Sequence, residues 1–157
     1  MTNKNIGYLS VLEMDTGDII GALLILDING YPIEMHYTTP AKLGAMEKIA
    51  FGVNLKSGIM IKKIAIPLIE NIGADLLVIL VNDDDLLKVK KIIKTPLLQV
   101  TQSKSNKKNV VFTEDDKKLN NKIKNELMAS DLWDFIDEPF QRIQNGVEYL
   151  LNNDMTK

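Results

Sequence analysis

The sequence predicts an α/β fold: a mixed sheet of about five strands, an antiparallel meander followed by a strand-helix-strand unit, with flanking helices and a C-terminal helical pair. Three observations carry that expectation. Residues 6–38 contain apolar, partly alternating stretches broken at two turn signals, Asp15-Thr16-Gly17 and Asn29-Gly30. Residues 76–81, Leu-Leu-Val-Ile-Leu-Val, are apolar on both faces, as a strand in the middle of a sheet must be. From residue 113 onward apolar residues recur every three or four positions, the period of an amphipathic helix.

In chain order, Ile6 to Met14 and Asp18 to Asp27 form the first two strands around a tight turn. The Asn29-Gly30 pair favours positive φ and leads into Tyr31 to Tyr37, where Tyr31, Ile33, Met35 and Tyr37 share one face. Pro32 cannot donate to a ladder, so this strand belongs at an edge. Thr39-Pro40 suits a helix start, with Leu43, Met46, Ala50 and Val53 on one stripe. Ile61, Ile64, Ala65, Leu68, Ile69 and Ile72 continue the pattern, but Pro67 removes a hydrogen bond, which predicts a kink or two helices broken at Ser57-Gly58. Gly73 caps, Ala74 to Val81 is the buried strand, Asn82 or Asp83 caps a short helix over Leu86 to Ile93, and Leu97 to Thr101 is the fifth strand. Such a crossover implies parallel pairing. Gln102 to Asn109, with Lys104, Lys107 and Lys108, is expected to be a mobile loop. Thr113-Glu-Asp-Asp116 resembles a capping box ahead of the Leu119, Ile123, Leu127 stripe, and Asp137-Glu138-Pro139 opens a last helix through Ile143, Val147, Leu150 and Leu151. The organisation expected is one domain over 1–157: sheet core 6–101, loop 102–109, helices 113–153.

Composition excludes several functions. The chain of 157 residues is 45% hydrophobic and 25% charged, which suits one globular core and rules out wholesale disorder. A net charge of -2 argues against nucleic acid or an anionic membrane as the main partner. With no cysteine, thiolate nucleophiles, disulfides, iron–sulfur clusters and sulfur-based zinc sites are absent, and a metal would need oxygen ligands. The polar start lacks a secretory h-region, and the longest apolar run is far short of the roughly 20 residues that span a bilayer, so a cytoplasmic location with no membrane contact is expected.

Three constellations are candidates for function. Asp83-Asp84-Asp85 follows the central strand, at the sheet edge where α/β proteins bind ligands, and with Asp27 could supply the converging carboxylates that Mg²⁺ chemistry requires; Asp27, Asp83 and Asp85 are the candidate metal ligands. The competing explanation is helix capping, which stabilises by about 0.3–1 kcal/mol without any ligand. His36, the sole histidine, lies beside Glu34 on the face opposite Met35 and suits an exposed edge residue. No G-x-S-x-G elbow, P-loop or G-x-G-x-x-G occurs, and Ser10 and Ser57 have no base nearby in sequence. Leu132, Trp133, Phe135, Ile136 and Phe140 crowd nine positions, which either fill a core junction or present Trp133, Phe135 and Phe140 to a partner.

Three resemblances follow from these elements. Residues 22–66, with the strand Ala22 to Asp27, the Asn29-Gly30 turn, the strand Tyr31 to Tyr37 and a helix from Pro40, resemble Roadblock/longin-type modules, which implies a non-catalytic dimerising scaffold serving small GTPases or trafficking complexes. The order three strands, helix, strand, helix, strand over 6–101 is similar to the RNase H-like fold. Nuclease members of that fold carry a carboxylate in the middle of the first strand; here Ile6 to Leu12 has none, Glu13 and Asp15 lie at the strand's end, and Asp83 sits near where an acid is expected. Asp134 to Ile143 resembles a segment of uncharacterised bacterial proteins, which implies kinship without function. The function expected is a non-catalytic binding or assembly module mediating protein–protein contact, without cofactor, self-associating through the meander edge or the C-terminal cluster. The alternatives are an Mg²⁺-dependent phosphoesterase or nuclease, and a small-molecule sensor with a pocket at the strand ends.

Overall fold

The computed structural model describes residues 5–42, 44–102, 108–111 and 117–153. Strands β1 (Asn5–Glu13), β2 (Ile19–Leu26) and β3 (Pro32–Tyr37) form the expected antiparallel meander. β4 (Leu76–Val81) and β5 (Leu97–Gln102) then add in parallel on the other side of β1. A short sixth strand, β6 (Lys108–Val111), pairs antiparallel with β5, so the end of the segment read as a loop is a sheet edge, while 103–107 lie outside the described residues. The sheet order is β3-β2-β1-β4-β5-β6. Its first five strands follow the element order that the RNase H-like resemblance implies. The Roadblock/longin likeness stops at Val81, because a helical crossover and a parallel strand follow where that module continues as a meander.

Helices cover both faces. On one side Ile59, Met60, Ile64 and Leu68 from residues 55–70, with Leu86 and Val89 of the 3-10 helix Asp85–Lys91, pack on Leu9, Leu23, Ile25 and Ile79. On the other, Ile123 and Leu127 of the long helix Lys117–Ala129, and Ile143 and Val147 of the final helix Glu138–Asn153, pack on Ile6, Tyr8, Leu24 and Leu80. Burial from both sides explains why β2 and β4 are apolar runs and not alternating ones. No helix among the described residues is long and apolar enough to cross a membrane.

Local structure departs from expectation between residues 38 and 70. No helix starts at Pro40, because the backbone of this stretch goes to β2: Thr38 N–H donates to the Gly21 carbonyl at 2.9 Å, and Ala41 exchanges two bonds with Ile19. Helix α1 (Ala45–Phe51) begins later and ends at Gly52, whose φ of 56° only glycine adopts without strain. The break falls there and not at Gly58, where the Phe51 ring occupies the space a Cβ would need. After α2 (Leu55–Ile59) the chain widens into a π-helical turn, Met60–Ala65, before α3 (Ile66–Glu70). Pro67 is the reason: it has no N–H and its ring would press on the carbonyl four residues back, which a widened turn relieves. The helices Lys117–Ala129 and Glu138–Asn153 are α4 and α5; the Thr113 to Asp116 box lies outside the described residues.

Candidate functional site

Parallel β1, β4 and β5 point their carboxyl halves toward the same side, and α5 crosses the sheet beside them. Between them lies a cleft of about 450 Å³ lined by Ser10, Asn82, Gln99, Thr101, Gln141 and Gln144, with Asp137 and Glu138 alongside. Each lining residue has a local cause. In β1 the alternation that buries Ile6 and Tyr8 on the α5 face brings Ser10 to the same face, and Asn82 is the first residue past β4. Ser10 Oγ donates to Asn82 Oδ1 at 3.3 Å, joining two strands 72 residues apart. A second cavity of about 440 Å³, between the β1–β2 turn and the end of α5, shares Leu12 and Gln144 with the first.

At Phe140 the cleft wall is apolar. Phe140 meets the Tyr8 ring edge-on at 5.0 Å, an arrangement worth about 0.5–1.5 kcal/mol beyond its burial. The Tyr8 hydroxyl is buried without a hydrogen-bond partner among the described residues, and that burial drives its pKa far above the phenol range despite the pull of Arg142. Arg142 holds the start of α5: its guanidinium binds the Glu138 carboxylate through Nε and Nη2 and donates from Nη1 to the Gly30 carbonyl at 2.8 Å. Glu138 is therefore already ion-paired. The same contact raises the Arg142 pKa further.

The candidate metal ligands are not brought together. Antiparallel β2 carries Asp27 to the end of the sheet where β1 and β4 begin, whereas Asp83 follows the end of β4. At about 3.3 Å per residue the two are separated by roughly 15–20 Å along the strands. Each acid has another task. Asp27 Oδ1 accepts the N–H groups of Asn29 and Tyr31, closing the β2–β3 turn. Asp83 Oδ1 accepts Asp85 N–H at 2.8 Å, Asp84 accepts the Gln99 amide at 2.6 Å, and Asp85 pairs with Lys88. Among the described residues no group of three acids or histidines can hold an ion. The cleft's own donors do not fit Mg²⁺ either: β1, β5 and the residue after β4 contribute two hydroxyls and two amides, and its two carboxylates come from adjacent residues at the start of α5.

Trp133, Phe135 and Phe140 pack against the inner apolar cluster, beside fully buried Leu132. The Phe135 ring lies where a Cβ on Gly30 would point, so the aromatic crowd locks the β2–β3 turn, whose Gly30 has φ 86°. His36 bonds Glu34 at 2.9 Å; this bond, with the Gly73 N–H, holds the Glu34 carboxyl below its ordinary range. Sequence reasoning set Ser10 aside for want of a nearby base and saw Asn82 only as a cap. The available signal was a polar residue breaking the apolar face of β1, and another ending the apolar run of β4.

No protein-family model matches the sequence, and no curated protein matches it. Among solved structures the chain is similar to Ciona intestinalis endonuclease V in complex with DNA containing an inosine followed by a ribo-adenosine: 15% identity, TM-score 0.41, 64% of this chain and 46% of that one. It is also similar to human endonuclease V, at 15% identity and TM-score 0.41, covering 78% of this chain and 54% of that one. The chain spans about half the length of those structures. At that level of likeness, chemistry has to be read from the cleft itself.

Proposed function

We propose that the chain is a non-catalytic binding module that takes a small, neutral, hydrogen-bonding molecule in the cleft between α5 and the ends of β1, β4 and β5. One observation carries this: the polar groups that β1, β5 and the residue after β4 bring to the cleft, beside apolar Leu12 and Val100, are hydroxyls and amides, Ser10, Asn82, Gln99 and Thr101. Such groups both donate and accept, so they match a nucleoside, sugar or carboxamide, and they include no base to activate a hydroxyl and no carboxylates to cage a metal. The position at the carboxyl ends of parallel strands is where open α/β sheets bind ligands. Ligand binding there bears on both α5 and the sheet, which suits a module whose occupancy is read by another protein.

A second reading, an Mg²⁺-dependent phosphoesterase, rests on Asp137 and Glu138 bordering the same cleft. Titrating a panel of nucleosides, monosaccharides and carboxamides while following backbone amide resonances separates the two. Shifts confined to Ser10, Asn82, Thr101 and Gln141, lost in Asn82→Leu, are expected. No shift with any probe, together with Mg²⁺-dependent cleavage of a generic phosphodiester that Asp137→Asn abolishes, overturns the binding module in favour of the enzyme.

A further inference from the structure

β3 is a terminal strand of the sheet, and among the described residues one of its edges has no partner strand. Its Ile33, Met35 and Tyr37 are large apolar residues left 40–47% exposed in a row, and Tyr31 just before the strand is 68% exposed. Isolated exposed apolar residues are ordinary, but a row along an open edge is a template for another strand. We propose that the occupant is a second copy of this chain, with the two β3 strands pairing antiparallel about a two-fold axis through Met35.

The register follows from hydrogen-bond direction and charge. Thr38 N–H donates to Gly21 across β2, and bonded and non-bonded pairs alternate along an antiparallel ladder, so His36 and Glu34 also face β2. The N–H and C=O of Met35 and Tyr37 then point to the open edge. Pro32, which has no N–H, and the irregularity opposite Ile25 and Leu26 close one end of the available run. Three two-fold registers keep outward-facing residues opposite each other near the strand centre. One sets Glu34 against Glu34 of the other copy, and one sets His36 against His36. The third, centred on Met35, sets Ile33 against Tyr37 twice and Glu34 against His36 twice, which joins the Glu34–His36 bond of each copy into one alternating cluster and leaves no like pair on the polar face. On the other face Ile33, Met35 and Tyr37 of each copy meet beside α5, where Met35 approaches Gly146. An isologous contact of this kind uses the β3 edge of both copies and closes there as a dimer. A five-residue ladder covers less than the roughly 1,200–2,000 Å² of a standard interface, so the dimer forms in the micromolar to millimolar range.

The chain has no cysteine, which makes the test clean. Hydrogen-bonded antiparallel pairs have Cα atoms about 5.5 Å apart, within disulfide reach. Met35→Cys should therefore give a disulfide-linked dimer under mild oxidation, while Thr16→Cys at the exposed β1–β2 turn should not. Sedimentation of the unmodified chain should move from 17.6 kDa toward twice that mass as concentration rises to about 1 mM. Met35→Lys, with folding checked by circular dichroism, should stay at the mass of one chain. A single-chain mass throughout, or a dimer that persists in Met35→Lys, or cross-linking at Met35 no faster than at Thr16, overturns the proposal.

Discussion

Gly21→Ala probes the contact that seats the helical layer on the sheet. Gly21 lies in β2 with its missing side chain aimed at the π-helical turn, and an added Cβ would collide with Ile64 Cγ2 and come to 3.4 Å from Leu68 Cδ1. Ile64 is fully buried among Ile59, Met60 and Ile79 and has nowhere to swing. Overpacking of this kind costs about 1–3 kcal/mol. The φ of Gly21 is not positive, so alanine recovers roughly 0.4–1 kcal/mol by restricting the unfolded chain. The net loss lies between about 0 and 2.6 kcal/mol, which at about 2–4 °C per kcal/mol for a chain of this size lowers Tm by up to roughly 10 °C. Ile64→Ala alone should cost about 2–5 kcal/mol through the cavity it leaves. In the double variant the new methyl fills part of that cavity, so urea denaturation should give a loss smaller than the sum by about 1 kcal/mol or more. A stabilising Gly21→Ala, or strict additivity in the double variant, would refute the close approach of β2 and the π-helical turn.

Tyr8→Phe keeps the edge-on contact with Phe140 and removes a buried hydroxyl that lacks a partner, so Tm should hold or rise; a loss above about 1 kcal/mol would show the hydroxyl to be engaged. Glu34 has its pKa lowered in the fold, so its contribution is present above the ordinary carboxylate range and disappears as pH falls through the lowered value. Glu34→Gln should accordingly flatten the acid limb of a Tm-against-pH curve, and an unchanged limb counts against the His36 and Gly73 contacts. Asp83→Asn should melt within about 0.5 kcal/mol of the parent and Asp83→Ala lower by about 0.5–2 kcal/mol, because Asn accepts the Asp85 N–H as Asp does. Millimolar Mg²⁺ should leave all three curves superimposed, and an Mg²⁺-dependent rise that Asp83→Asn abolishes would restore the metal site.

What the sequence determined by itself is the part governed by short-range rules. Asn29-Gly30 specifies its turn because Gly30 reaches positive φ at no steric cost, and the apolar run of residues 76–81 specifies a strand buried on both faces. The rows Ile33, Met35, Tyr37 and Ile143, Val147 follow from periods of two and 3.6, while Tyr31 falls before β3, beyond a shift in its pairing with β2. Tertiary structure decided whatever depends on a distant partner. Thr39-Pro40 has the local chemistry of a helix start, yet Ile19 and Gly21 take the backbone bonds of residues 38 and 41. Asp27 and Asp83 both follow strands, and only strand direction sends them to opposite ends of the sheet. Ser10 and Asn82 meet for the same reason in reverse: β1 and β4 are parallel neighbours, a relation that no local pattern encodes, because it is set by which helices bury which face.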